Sequence, residues 1–204
     1  MSLDCCSPEQ SIKTNDNVYR KTLWVVLVIN AVMFFVEIIS GIAAGSVSLQ
    51  ADSLDFLGDA ANYGVALYVL TKSLRLKAYS ALAKSFTMFG FGLWVITQAV
   101  YKMITGIPPQ SEIMGVISIF ALAANMLCFY LLSRHSREDS NRKSVWLCSR
   151  NDAIGNIAVM LAAAATHYTL SHWPDLIVAL MMALLAISSA WQVAKHALNE
   201  IRHT

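Results

Sequence analysis

Asp52, Asp55 and Asp59 stand inside a run, Leu49–Tyr63, that is otherwise built for hydrocarbon. At about 100° per residue they fall within about 60° of one another on a helix, so the three carboxylates share one stripe. Insertion scales charge ~2.5–3.5 kcal/mol for each Asp at a bilayer centre and return only ~0.3–0.6 for each Leu, Ile, Phe or Val. By that measure the apolar residues of the helix (Leu49, Leu54, Phe56, Leu57, Val65, Leu67, Val69, Leu70) offset less than the aspartates cost. Such a helix should not face lipid all round. Its acid stripe must point into a bundle, at water, at a cation, or at a partner helix. A second pair lies far along the chain in W-L-C-S-R-N-D: Cys148 and Asp152, four apart and on one helical face, with Asn156 a turn further on.

Asp55/Asp59 and Cys148/Asp152 are each a pair of ligand types one turn apart. Two such helices packed face to face bring four ligands to a common centre, which suits a tetrahedral divalent ion such as Zn²⁺ or Cd²⁺. Three oxygens and one thiolate make a softer site than carboxylates alone, and one that disfavours Mg²⁺ and Ca²⁺. Fully ionised, the four groups outweigh the charge of the ion, so the bare site should bind protons and metal arrival should release them. Spacing alone leaves three readings open: a metal site, a proton or other cation path, and a structural polar cluster. A single cysteine in an apolar helix usually behaves as a small hydrophobe. The claim of Cys148 therefore rests on Asp152 and on whatever faces it.

The elements that must position these groups are apolar and long. The chain has 204 residues, is 56% hydrophobic and only 14% charged, and has a mean hydropathy of +0.53. That balance marks an integral membrane protein. Six apolar segments have about the length a bilayer requires: Leu23–Ile42, Val47–Leu70, Phe86–Ile104, Ile113–Leu132, Val145–Tyr168 and Leu176–Ala194. The links Ala44–Ser46, Thr105–Glu112 and Thr169–Asp175 carry no Lys or Arg, whereas all but Lys102 of the 15 basic residues lie in the other links and the termini. The positive-inside rule then places both termini in the cytoplasm. The expected fold class is an all-α membrane protein of six transmembrane helices. Its parts are a cytoplasmic N-terminal tail (1–21), a six-helix transmembrane domain (22–196) and a short cytoplasmic tail (197–204), with no C-terminal metal-binding domain. No cleavable signal is visible, so a multi-pass protein of the cell (inner) membrane is expected. Trp173 and Pro174 fit an interfacial turn.

Other residues carry weaker signals. Cys5-Cys6 reads as a soft-metal catch on a mobile tail or, more simply, as two incidental thiols. With Cys128 and Cys148 they do not form a disulfide framework. Asn30 and Glu37 lie in the first segment. Glu37 can relay protons or line an entry path, but a cap on a polar cluster is the simpler role. Gly41 and Gly45 form G-x-x-x-G, which permits close helix approach. Asn125 is expected to pack by hydrogen bonding across helices. The link Ser133–Ser144 holds one histidine, His135, and is not a His-rich metal-collecting loop. His167, His172, His196 and His203 lie near segment ends, where interfacial or solvated roles are expected.

Taken in order, these features resemble the cation diffusion facilitator family of zinc, cadmium, iron and manganese exporters. The resemblance runs from about Leu23 to Asn199. It rests on Glu37, the G-x-x-x-G-S of Gly41–Ser46, and S-L-Q-A-D-S-L-D-F-L-G-D-A (Ser48–Ala60). It continues through Asn125, D-S-N (Asp139–Asn141), D-A-I-G-N (Asp152–Asn156) and the W-P-D that ends at Asp175. The family implies six helices, a homodimer, and a transport site made by helices two and five. Its ligand motifs carry over onto Asp55, Asp59, Cys148 and Asp152. Cys148 stands where the family usually has His, which implies a shift towards soft ions. The family's cytoplasmic C-terminal domain is not found, so dimerisation would rest on the membrane helices.

The expected function is export of Zn²⁺ or Cd²⁺ from the cytoplasm in exchange for protons. The expected partners are a divalent metal ion, the lipid bilayer and a second copy of the chain, with no nucleic acid. No resident cofactor is expected, since the metal is cargo and the proton its counter-ion. The rivals are a non-transporting membrane metal-binding protein or accessory subunit, and a channel or proton path without metal. An enzyme is not expected, because Cys148 has no histidine within helical reach.

Overall fold

The computed structural model describes the backbone of residues 17–69, 74–134 and 139–203, and side chains over 18–67, 79–134, 150–199 and 201. Cys5, Cys6, His135 and the side chains of Asp139–Asn141, Cys148 and His203 lie outside the described residues. Six helices follow one another: α1 (Asn17–Ala44), α2 (Val47–Val69), α3 (Leu74–Thr105), α4 (Ser111–Ser133), α5 (Asp139–Thr169) and α6 (Trp173–His203). Among the described residues there is no strand.

Four helices outrun the apolar segments that announce them. α1 begins at Asn17 rather than Leu23, so the expected 1–21 tail ends in helix, α3 begins at Leu74 rather than Phe86, α5 at Asp139 rather than Val145, and α6 runs to His203, so the expected 197–204 tail is mostly helix. Hydropathy locates the part of a helix that suits lipid, and no Pro or Gly interrupts these polar extensions. The link read as Ser133–Ser144 shortens accordingly. Lys84, counted with the inner links, lies inside α3.

The turns are specified by local chemistry. Gly45 adopts φ +70°, donates its N–H to Ile42 O, and is followed by Ser46 N–H donating to Gly41 O at 2.8 Å. That is the Schellman arrangement, in which a left-handed residue just past the helix end lets the last carbonyls find donors. Gly45 thus makes the turn, and Gly41 makes the close approach. A Cβ at Gly41 would lie 2.9 Å from Gln50 Cγ and 3.1 Å from Gln50 N. Gly106 (φ +67°) ends α3 in the same left-handed conformation, ahead of Pro108 and Pro109. Leu170 (φ +50°) does so after α5 without glycine's freedom. Pro174 sits in the first turn of α6, where a missing N–H costs nothing. Lys102, the basic residue outside the inner links, brings Nζ to within 2.7 Å of where a Gly45 Cβ would stand. Its charge therefore lies over the C-terminal end of α1, where a cation is favoured.

α2 is the central helix. It packs against α1, α3, α5 and α6, while α3 pairs with α6 and α4 with α5 and α1. Every described residue of α2 is buried or half-buried. The other helices turn large apolar side chains outward, among them Trp24, Phe35 and Ile39 on α1, Ile119 and Phe120 on α4, and Leu184, Leu185 and Trp191 on α6. Two buried apolar layers hold α2 in place. Val47, Ala51 and Leu54 pack with Val95 and Ala99 of α3 and Leu176, Ala179 and Ala183 of α6. Leu49 packs with Met114 of α4 and Val159, Ala162 and Ala163 of α5. Among the described residues four helices, over Val18–Ala44, Tyr79–Thr105, Ser111–Ser133 and Trp173–Asn199, are long and apolar enough to cross a membrane by themselves. The described parts of α2 and α5, which carry Asp52, Asp55, Asp59 and Asp152, do not reach that mark.

Candidate functional site

The N-terminal end of α2 is held by a residue from the far end of the chain. Asp175, buried in the first turn of α6, accepts from Ser46 Oγ (2.8 Å), Val47 N (2.8 Å), Ser48 N (3.0 Å) and Ser48 Oγ (2.6 Å). Ser46 Oγ also accepts from Leu49 N, three residues on, as an N-cap does. Orphan N–H groups at the start of α2 are thus satisfied partly in cis and partly across 127–129 residues of chain. The aspartate of W-P-D sets the height of α2 in the bundle, and with it the height of the acid stripe.

On that stripe, Asp52 is fully buried (2% exposed), while Asp55 and Asp59 are half-buried. α5 meets them with its smallest residue. A Cβ at Gly155 would lie 3.5 Å from Asp52 Oδ1 and 3.7 Å from Asp55 Oδ2. The glycine lets the backbone of α5 approach the carboxylates directly. Asp152, also half-buried, stands on the same side of α5 and within electrostatic reach of Asp59, Asp55 and Asp52. The outer face of α5 carries Ile154, Ile157 and Leu161. Asp152 and Gly155 of α5 thus lie on the side of that helix that meets the aspartates of α2.

They are not drawn to a point. Among the described residues no group of three or more His, Cys, Asp or Glu is gathered closely enough to hold a metal ion. Asp55, Asp59 and Asp152 are juxtaposed as a facing set, and the side chain of Cys148, one turn before Asp152, lies outside the described residues.

Glu37 belongs to this polar interior rather than to a lipid face. It is fully buried within electrostatic reach of Asp52, and neither of its carboxyl oxygens has a hydrogen-bond partner among the described residues. Asn156 is equally buried, and neither its amide nitrogen nor its oxygen has a hydrogen-bond partner among the described residues. Asn30 does find partners: Nδ2 donates to Val26 O at 2.8 Å and to Cys128 Sγ at 3.5 Å. Asn125 is buried on α4. His167 meets Ser111 across the α4–α5 pair, and His172 stacks beside Trp173, both at helix ends.

Several neighbours of the acids were not singled out from sequence. Lys84 donates from Nζ to Asn62 Oδ1 and lies within electrostatic reach of Asp59. Tyr63, one turn from Asp59, and Cys128 both lie within reach of Asp59 and Asp152. For Tyr63 and Asn62 the i+4 and i+3 spacing to Asp59 was a usable signal. Lys84 and Cys128 reach the site only through packing.

Comparison with known proteins decides the family. The description "Cation efflux transmembrane domain" matches residues 23–201. The chain belongs to the cation efflux family. Cation efflux proteins are transporters and not enzymes, and their membrane domain is what this bundle corresponds to. Zinc transporter ZitB of Escherichia coli is 27% identical over 199 residues, covering 91% of this chain and 63% of the relative. ZitB of Yersinia pestis is 25% identical over 194 residues, covering 89% and 62%. The metal cation efflux system protein CzcD of Cupriavidus metallidurans is 22% identical over 194 residues, covering 88% and 61%. The chain thus spans a little over three-fifths of the length of these curated relatives.

Proposed function

We propose that this cation efflux chain is a secondary transporter that exports Zn²⁺ or Cd²⁺ from the cytoplasm in exchange for protons. Asp55, Asp59, Cys148 and Asp152 bind the ion as substrate, and the carboxylates carry the returning protons. The observation that carries this reading is the facing of α2 and α5 across Gly155, which sets Asp152 against the aspartates of α2 inside the helix bundle. Acids at that depth are costly unless they serve a path or a ligand. The ZitB relatives are zinc transporters by name.

All six helices cross the bilayer in this reading, with α2 and α5 shielded from lipid by the other four. The turns at 45–46, 106–110 and 170–172 carry no Lys or Arg and face away from the cytoplasm. Both termini are then cytoplasmic, and the membrane is the cell (inner) membrane. Access alternates by rocking of helices about a fixed site, as in other secondary transporters. The functional unit is a homodimer joined through membrane helices.

The test is metal flux in proteoliposomes loaded with a metal-sensitive dye under an imposed pH gradient. Gradient-driven Zn²⁺ or Cd²⁺ movement, lost in Asp59→Asn and in Asp152→Asn, supports exchange. Unaltered flux in both variants rejects the ligand assignment. One observation favours a second reading: the described carboxylates are not gathered around a point. A proton path or a static polar cluster would show no stoichiometric Zn²⁺ or Cd²⁺ binding by calorimetry. A non-transporting metal binder would bind Cd²⁺ without moving it across the sealed vesicle.

A further inference from the structure

We infer that Lys84 is a built-in counter-cation that competes with the arriving metal ion at Asp59. The inference rests on the reading of Asp59 and its neighbours as ligands, and extends it to a residue no ligand pattern contains.

Antiparallel packing of α3 on α2 sets two rungs. Gly58 of α2 receives the methyl of Met88, which would lie 3.3 Å from a Gly58 Cβ. One turn towards the cytoplasm, Asn62 of α2 accepts from Lys84 Nζ. Asp59 lies between these rungs in sequence, and Lys84 is within electrostatic reach of it. The lysine is half-buried and points at the bundle interior, where an ammonium is held only if something negative or polar receives it. Asn62 supplies the hydrogen bond and the acid set supplies the field. The ammonium therefore does part of what the metal does, offsetting the repulsion among Asp52, Asp55, Asp59 and Asp152. It does so from the Asn62 rung, three residues past Asp59 on α2. A site tempered in this way releases a divalent ion that four anionic ligands alone would retain.

The test is calorimetric Cd²⁺ titration of the purified full chain in detergent at one pH and ionic strength. For a separation of about 8 Å and an effective dielectric constant of about 40–60, removing a unit charge tightens binding of a doubly charged ion roughly ten- to thirtyfold by Coulomb's law. Lys84→Met should show that gain in Kd. Lys84→Gln, which can keep a hydrogen bond to Asn62 without the charge, should show it as well and guards against a misfolded Met variant. Lys84→Arg, which keeps the charge, should bind within about threefold of wild type. A purely structural role would lower stability without tightening Kd. If Asp59→Asn loses Cd²⁺ binding while folded Lys84→Met or Lys84→Gln binds no tighter than wild type, the counter-cation role is overturned and the ligand reading stands. If Asp59→Asn binds as wild type does, the ligand reading is overturned and the counter-cation role with it.

Discussion

Asp175→Asn should destabilise this domain by about 2–4 kcal/mol. The side chain keeps its size but exchanges one acceptor oxygen for an NH₂ group. Asp175 Oδ1 serves Ser46, Ser48 Oγ and Ser48 N, and Oδ2 serves Val47 N, so no rotation of the amide satisfies all four donors. One buried N–H or O–H left without an acceptor costs about 1–3 kcal/mol. Loss of a negative charge at a helix N-terminus removes about 0.3–2 more. Ser46→Ala, which removes the local cap on Leu49 N and one donor to Asp175, should cost less, about 0.5–2 kcal/mol. Because the two side chains share a hydrogen bond, the double variant should fall short of the sum of the singles. Equilibrium unfolding in dodecyl maltoside–SDS mixtures, followed by tryptophan fluorescence, measures all three. An Asp175→Asn protein within about 0.5 kcal/mol of wild type, or more stable than Ser46→Ala, would refute the role of Asp175 as the cap of α2.

Three further outcomes follow from the same structure. Gly155→Val should abolish Cd²⁺ binding, because its methyl groups would press on Asp52 and Asp55, whereas Gly155→Ala, at ordinary contact distance from both, should bind within a few-fold of wild type by calorimetry. Leu170→Gly should stabilise by about 1 kcal/mol in the same unfolding assay, since the residue is 79% exposed and pays for a left-handed backbone that glycine adopts freely. Cys148→His should move transport preference from Cd²⁺ towards Zn²⁺ in a competition assay, because imidazole is a less soft donor than thiolate.

Which parts of this protein are legible in its sequence depends on the range of the interaction involved. The helices announce themselves through long apolar runs. The facing of α2 and α5 was legible because i, i+4 spacing fixes a face and the cost of acids in hydrocarbon dictates which way it turns. Helix ends were less legible at Leu74 and Asp139, where polar but helix-forming residues carry the backbone past the apolar run. Asp175 entered only through a family pattern. Its role depends on a bond to the start of α2 that no local window contains. Lys84 shows the same limit from the other side: its charge suggests an inner link, while its place on α3 opposite Asn62 brings it to the acids. The meaning of G-x-x-x-G likewise divided, with Gly41 admitting Gln50 and Gly45 supplying a positive φ.

In the proposed transporter one ion is held between α2 and α5 by three carboxylates and one sulfur. Cadmium K-edge X-ray absorption on the Cd²⁺-loaded chain reads that shell directly. The predicted spectrum contains a single Cd–S component beside oxygen, lost in Cys148→Ser and retained in Cys128→Ser, with the oxygen shell altered in Asp59→Asn and Asp152→Asn. A shell of oxygen alone in wild type, or a sulfur component that survives Cys148→Ser, would contradict it.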